Sequence, residues 1–361
     1  MKKILSFFIF CVIFLFVHSS KAEINTEYLE NINALSAVAI DGLTGQILYA
    51  KNPHVKIPPA STVKLLTAMI VLDRLPLSQE IRISKTAEET PSTPPTLYEG
   101  EIYTVEDLLH LMLIKSSNQA AVALAEAVAG SEENFAVLMN KKAQLLGLKN
   151  SHFVTASGLP APNQYTTAYE LALLLYEALK YPQIKEIIST PVKVITSKKG
   201  RTLIVKNTNK LLFEDELKEE ILGGKTGYTR VSKHCLVNVA KVKNRLIITS
   251  VLGAPYRDAL WEDTKKLIKF SELALENKIS PVVINTAVNL NLPVSLTPKA
   301  YYKSKAKVTM KSSKFYAKKK SSKTLAKKAN QTKVAKKPLK NKVVKKQKKF
   351  LTASSTSRSR S

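Results

Sequence analysis

The sequence predicts an α+β fold: an antiparallel sheet flanked by helices plus a helical subdomain, with a disordered basic C-terminal tail. Three observations predict it. Strand-like segments lie near the start and again in the second half, with helical patterns between them, so early and late strands can meet in one antiparallel sheet. One helical pattern, 118–129, is Ala-rich and apolar nearly all round, which marks the buried centre of a helical subdomain. The charge is lopsided: 301–361 hold 20 Lys, 2 Arg and no acid, which is +22 of the net +28 and leaves only +6 for 1–300.

The N-terminus reads Met1-Lys2-Lys3, followed by a largely apolar run of 14 residues from Ile4 to Val17 and then Ser20-Lys21-Ala22. A charged start, an apolar core too short to span a bilayer and a small-residue exit describe a signal peptide over 1–22, cut after Ala22. The body is therefore expected outside the cytoplasmic membrane. Cleavage removes Cys11 and leaves Cys235, in a strand-like stretch, as a buried inert thiol. Two cysteines exclude a disulfide framework, and a nearly neutral body excludes a histone-like protein.

Along the body, 37–40 and 46–50 flank Asp41-Gly42-Leu43-Thr44-Gly45 as a hairpin. Pro58-Pro59 stops regular structure, and 61–75 follows as a helix. Thr104 with Glu106 opens a second helix. Asn118–Ala129 is the third, ended by Gly130, and Ser131-Glu132-Glu133 starts a fourth. Thr167 with Glu170 forms a capping box for a fifth, which Pro182 stops near Tyr181. Val192–Thr196 and Thr202–Lys206 form a hairpin across Lys199-Gly200, and 236–242 and 246–252 form another. A last helix runs over 257–276. The expected domain plan is a catalytic domain over 23–277, a linker or short strands over 278–300, and a disordered Lys-rich tail over 301–361, where like charges repel and too little apolar surface exists to fold.

Three short strings carry chemistry. Ser61-Thr62-Val63-Lys64 places a hydroxyl and an amine nearly one helical turn apart. A serine needs a base within hydrogen-bond reach, and burial depresses a lysine toward neutrality. The helix N-terminus adds a free backbone N–H as an oxyanion donor. Alone the string also fits a plain N-cap with a solvated lysine, and it recurs at Ser304–Lys307 inside the tail. Ser116-Ser117-Asn118 lies between two apolar helices. Its side chains either cap the loop among themselves, or project into a cleft where Ser116 relays a proton and Asn118 holds a substrate amide. Lys225-Thr226-Gly227 follows Gly223-Gly224 and precedes a strand run. Small residues there let an extended peptide pair with a strand edge, and Lys225 and Thr226 suit a carboxylate; a plain turn is the alternative. The five histidines show no metal spacing, and no cofactor is implied.

Together, in this order, the three strings match the set shared by penicillin-binding proteins and class A β-lactamases. The chain resembles the low-molecular-weight penicillin-binding proteins, the serine-type D-alanyl-D-alanine carboxypeptidases (peptidase family S11). The segments 57–68, 117–126, Thr155-Ala156-Ser157-Gly158-Leu159 and 224–229 are also similar to family blocks, so the likeness covers roughly 30–277. The resemblance implies the penicillin-binding protein/β-lactamase-like fold. It implies catalytic Ser61, Lys64 and Ser116, and substrate-binding Asn118, Lys225, Thr226, Gly227 and Tyr228. Ser61 attacks the penultimate D-alanine carbonyl of a peptidoglycan stem peptide, Lys64 takes its proton, the Ser61 and Tyr228 amides form the oxyanion hole, D-alanine leaves, and water hydrolyses the acyl-enzyme. Penicillin and other β-lactams acylate the same serine.

Two departures matter. The middle string is Ser-Ser-Asn rather than Ser-Asp-Asn, and no acidic E-x-x-L-N motif follows, which disfavours a β-lactamase. An Arg257 lies near the position where some members bind the terminal carboxylate. The competing readings are a DD-endopeptidase, a β-lactamase, and a non-catalytic wall-binding protein acting through its tail. The tail is expected to bind anionic lipid or an anionic envelope polymer in a salt-sensitive way; export argues against nucleic acid.

Overall fold

A computed structural model describes residues 31–217 and 220–286. The chain opens with β1 (Ser36–Asp41) and β2 (Ile47–Lys51), joined by the expected Gly-containing turn. A 3₁₀ turn at Ala60–Val63 leads into helix α1 (Lys64–Leu72). The single helix expected over 61–75 is thus two pieces, and it ends three residues early. Strand β3 (Glu80–Arg82), short helix α2 (Lys85–Glu89) and strand β4 (Ile102–Thr104) follow. None of these had a legible period.

Helix α3 (Val105–Leu113) is capped by Thr104, but the reciprocal partner in its capping box is Asp107, not Glu106. Helix α4 (Asn118–Ala129) is the buried Ala-rich one; Ser117 caps it and Gly130 ends it in the left-handed conformation. Helix α5 (Glu132–Leu145) starts on Ser131. Helix α6 (Ala168–Ala178) is capped by Thr167, yet the Glu170 carboxylate does not return the bond. It accepts from the Asn150 amide and the Ser151 hydroxyl at 2.7 and 2.6 Å, pinning the preceding loop instead. Helix α6 ends at Ala178, short of Tyr181, and Pro182 itself begins helix α7 (Pro182–Ser189), where a missing N–H costs nothing in the first turn.

Strands β5 (Val192–Thr196) and β6 (Thr202–Lys206) pair as a separate hairpin. Strands β7 (Ile221–Thr229), β8 (Lys233–Val242) and β9 (Arg245–Ala254) then run antiparallel, and helix α8 (Arg257–Leu275) crosses them before the short β10 (Val282–Ile284). The main sheet has the order β10-β2-β1-β9-β8-β7, antiparallel except that β10 joins β2 in parallel. Early β1 lies against late β9, as the sequence predicts.

The alternation of strand side chains divides the core in two. Val38, Ile40, Val237, Val239, Ile248 and Leu252 face a large cluster built with α1, α3, α4 and α6. Ala37, Ala39, Leu236, Ala240, Ile247 and Val251 face the other way, against Trp261, Leu267 and Phe270 of α8. A sheet buried on both faces explains why β8 and β9 read as near-continuous apolar runs. Cys235 lies in this interior, and burial pushes its thiol up to about 12. No helix among the described residues is long and apolar enough to cross a membrane. The signal peptide expected over 1–22 and the tail over 301–361 lie outside the described residues.

Candidate active site

Ser61 is delivered by backbone geometry. Pro58-Pro59 leads into Ala60, whose φ of +50° is a left-handed conformation uncommon for a residue with a Cβ. Two glycines from distant segments hold this strained corner. Gly158 has φ +77°, and a Cβ there would fall 1.9 Å from the Ala60 carbonyl oxygen. A Cβ on Gly227, in β7, would fall 3.0 Å from both the Ala60 Cβ and the Ser61 amide nitrogen. Only glycine lets both segments press so close to the serine.

Lys64, at the start of α1, is fully buried. Its Nζ lies 2.8 Å from Ser61 Oγ, donates to Asn118 Oδ1 at 2.7 Å, and donates to the Ser157 carbonyl. Burial first, and then the charge of Lys225, hold its amine well below the ordinary lysine range; Glu132 partly opposes them. A neutral amine has two N–H groups and one lone pair. Two of its three neighbours are carbonyl oxygens, which only accept. They take the two N–H groups, and the lone pair is left facing the Ser61 hydroxyl. That is the arrangement a base needs to remove the serine proton.

Ser116 lies in the α3–α4 loop with φ +67°. Its hydroxyl takes a hydrogen bond from the fully buried Lys225 Nζ at 2.9 Å, and Lys225 also donates to the Thr226 carbonyl at 3.0 Å. Burial lowers Lys225 to about 7, so an arriving carboxylate would restore its charge. Thr226 Oγ1 donates to Thr208 Oγ1 at 2.7 Å. Asn118 is engaged at both ends of its side chain, by Lys64 and, through Nδ2, by the Pro91 carbonyl at 2.7 Å.

The three strings therefore meet. Ser61, Ser116, Asn118, Thr226, Gly227 and Tyr228 line one cleft of about 270 Å³, and Lys64 and Lys225 stand buried behind its wall. The alternative of Ser116 and Asn118 bonding each other is not what the structure has; each side chain holds a different lysine. The Lys225 string is not a turn before a strand but lies inside β7, the edge strand of the main sheet. An edge strand offers unpaired backbone groups to an extended ligand. Tyr228, 58% exposed, stacks on His234 at 4.5 Å between ring centres, and Arg257 and Trp261 complete the cleft floor.

Several contributors escaped the sequence reading. The Ser157 carbonyl acts through its backbone, which leaves no side-chain signal. Thr208 sits in an unremarkable loop. Glu132 looks like an ordinary first-turn acid, yet its carboxylate accepts from the Ala156 amide at 2.9 Å, while Thr67 Oγ1 donates to the Ala156 carbonyl at 2.8 Å. Among the described residues no group of three or more His, Cys, Asp or Glu side chains could hold a metal ion.

Known proteins are similar to this chain in sequence and in fold. The family model described as D-alanyl-D-alanine carboxypeptidase matches residues 21–256. The D-alanyl-D-alanine carboxypeptidase DacF of Bacillus subtilis is 36% identical over 226 residues, 61% of this chain and 57% of the relative's own length. The D-alanyl-D-alanine endopeptidase of Escherichia coli is 34% identical over 68% of this chain and 79% of that protein. Among solved structures, a Streptomyces K15 DD-transpeptidase variant superposes with a TM-score of 0.63 at 29% identity, covering 66% of this chain and 98% of that one. The D-alanyl-D-alanine carboxypeptidase of Mycobacterium tuberculosis gives a TM-score of 0.62 at 27% identity, over 66% and 90%.

Proposed function

The chain belongs to the D-alanyl-D-alanine carboxypeptidase family of serine peptidases, and from that premise we propose that it removes the terminal D-alanine of peptidoglycan stem peptides through an acyl-enzyme on Ser61. One observation carries the reading: the buried Lys64 amine faces the Ser61 hydroxyl at 2.8 Å while two carbonyls occupy its N–H groups.

The steps follow from the cleft. The Ser61 oxygen attacks the penultimate carbonyl carbon and gives its proton to Lys64 Nζ. The Ser61 and Tyr228 amides take the charge that develops on the carbonyl oxygen. The stem peptide runs along the edge of β7, and Lys225 and Thr226 meet its terminal carboxylate. As the peptide bond breaks, the proton passes through Ser116 to the leaving nitrogen, and D-alanine departs. Lys64 then takes a proton from water, and hydroxide attack on the ester releases the shortened peptide. A β-lactam enters by the same attack. Incubation of the protein and a Ser61→Ala variant with a peptide ending in D-Ala-D-Ala tests this: only the wild type releases D-alanine, and equal release by both overturns the mechanism. A cross-linked stem-peptide dimer in the same assay weighs carboxypeptidase against the endopeptidase activity that one relative is named for.

The remaining proposals concern the ends of the chain and the extent of the catalytic unit. We infer that 1–22 directs export and is cut after Ala22, that 23–277 is the catalytic unit, and that the tail binds anionic envelope polymer or lipid by charge. Deleting 301–361 is expected to spare turnover of a soluble peptide and to lower retention on envelope fractions at low salt.

A further inference from the structure

The β5–β6 hairpin rests on the body by one face only. Ile195, Leu203 and Val205 are buried in the larger core cluster. The opposite face carries Val192, Val194 and Thr196 beside their cross-strand partners Lys206, Ile204 and Thr202. Side chains alternate along a strand, so a hairpin lying on a water-soluble body ordinarily turns polar groups outward. Here half of the outward face is apolar: Val192, Val194 and Ile204 are 48%, 57% and 73% exposed. Aromatic rings stand at its two ends. Lys206 Nζ sits 4.4 Å from the centre of the Phe213 ring at the base, and Arg201 sits 4.7 Å over Tyr98 near the turn.

The charge carried by the hairpin itself has one sign. Residues 192–206 include Lys193, Lys198, Lys199, Arg201 and Lys206, and no acid. Glu80 and Glu101 answer Lys198 and Arg201. Lys199 and Lys206 take part in none of the ion pairs found among the described residues.

We infer that the outer face of this hairpin docks on an anionic lipid bilayer. Small aliphatic groups flanked by aromatic rings and lysines match the boundary between acyl chains and phosphate headgroups. A stable protein interface needs roughly 800 Å² per partner, well beyond three aliphatic side chains, whereas a bilayer admits a wedge of this size. The hairpin base adjoins the cleft: Asn207 donates to the Pro191 carbonyl, and Thr208 next to it bonds Thr226. Each strand spans about 16 Å, so docking fixes the cleft wall at a set height above the lipid plane. This inference is independent of the serine chemistry.

The test uses the full chain with Ile204→Trp or Val194→Trp, read against the single native tryptophan, and Leu43→Trp on the β1–β2 turn as control. Vesicles of phosphatidylcholine with phosphatidylglycerol carry brominated acyl chains, which quench an indole only at short range. The introduced indole at 204 or 194 is expected to be quenched, and the one at 43 is not. Vesicles of phosphatidylcholine alone are expected to bind at least about tenfold more weakly. Ile204→Ser and Val194→Ser each weaken vesicle binding about tenfold. Vesicle binding without quenching at 204 and 194 overturns the inference, because the tail or another surface then makes the contact. Absence of vesicle binding overturns it as well. So does a dimer in sedimentation velocity that Ile204→Asp converts to monomer, since the face is then a protein interface.

Discussion

The Glu132 carboxylate accepts the Ala156 amide, one residue before the carbonyl that holds Lys64. It thereby fixes the loop that orients the amine, and its negative charge raises Lys64 against the larger effect of burial. Glu132→Gln keeps an acceptor but removes the charge. Lys64 then stays neutral to lower pH, and the acid limb of β-lactam acylation moves to lower pH. An unshifted limb with a uniformly lower rate would mean that Glu132 only supports the loop.

Lys225→Met acts on the same limb with the opposite sign. Removing a buried cation near Lys64 lets that amine protonate more readily. The limb moves to higher pH, and KM for a peptide with a free carboxylate rises. Stopped-flow acylation across pH reads the first effect, and steady-state kinetics the second.

Lys225 also ties folding to pH. Its amine titrates at about 7 when folded, against 10.5 for an ordinary lysine. Between these values the unfolded chain binds the extra proton, so stability rises with pH there. The wild type should gain up to about 5 kcal/mol over Lys225→Met between pH 7 and 10.5. Denaturant melts of both proteins at several pH values check this; parallel curves refute it.

Gly158→Ala is expected to cost at least about 3 kcal/mol, because its Cβ would strike the Ala60 carbonyl at a positive φ that alanine resists. Relief by shifting Ala60 would displace Ser61, so labelled penicillin binding should fall together with the denaturation midpoint. Normal binding with normal stability would show that the contact yields freely.

Asn118→Ala removes an acceptor for Lys64 and an anchor to Pro91. The amine is then free to turn its lone pair from Ser61. Acylation should slow by about 10²-fold while the fold survives, as circular dichroism and acylation kinetics can check together.

The sequence by itself determined the elements that depend on local chemistry. The β1–β2 turn, the caps at Thr104, Ser131 and Thr167, and the buried Ala-rich α4 rest on nearest neighbours and periodicity. So does the nearness of Ser61 to Lys64, three residues apart on one turn. Tertiary structure alone decided the rest. A proline can end one helix or begin another, and at Pro182 packing of Ile184, Ile187 and Ile188 selects the second outcome. The Lys225 string became an edge strand because β8 pairs along one side of it only. Neither lysine is tuned by its own sequence context: burial by distant segments lowers both amines, and a carbonyl 93 residues away aims Lys64. Desolvation and backbone acceptors are properties of a filled interior, and no stretch of residues carries them before the chain closes.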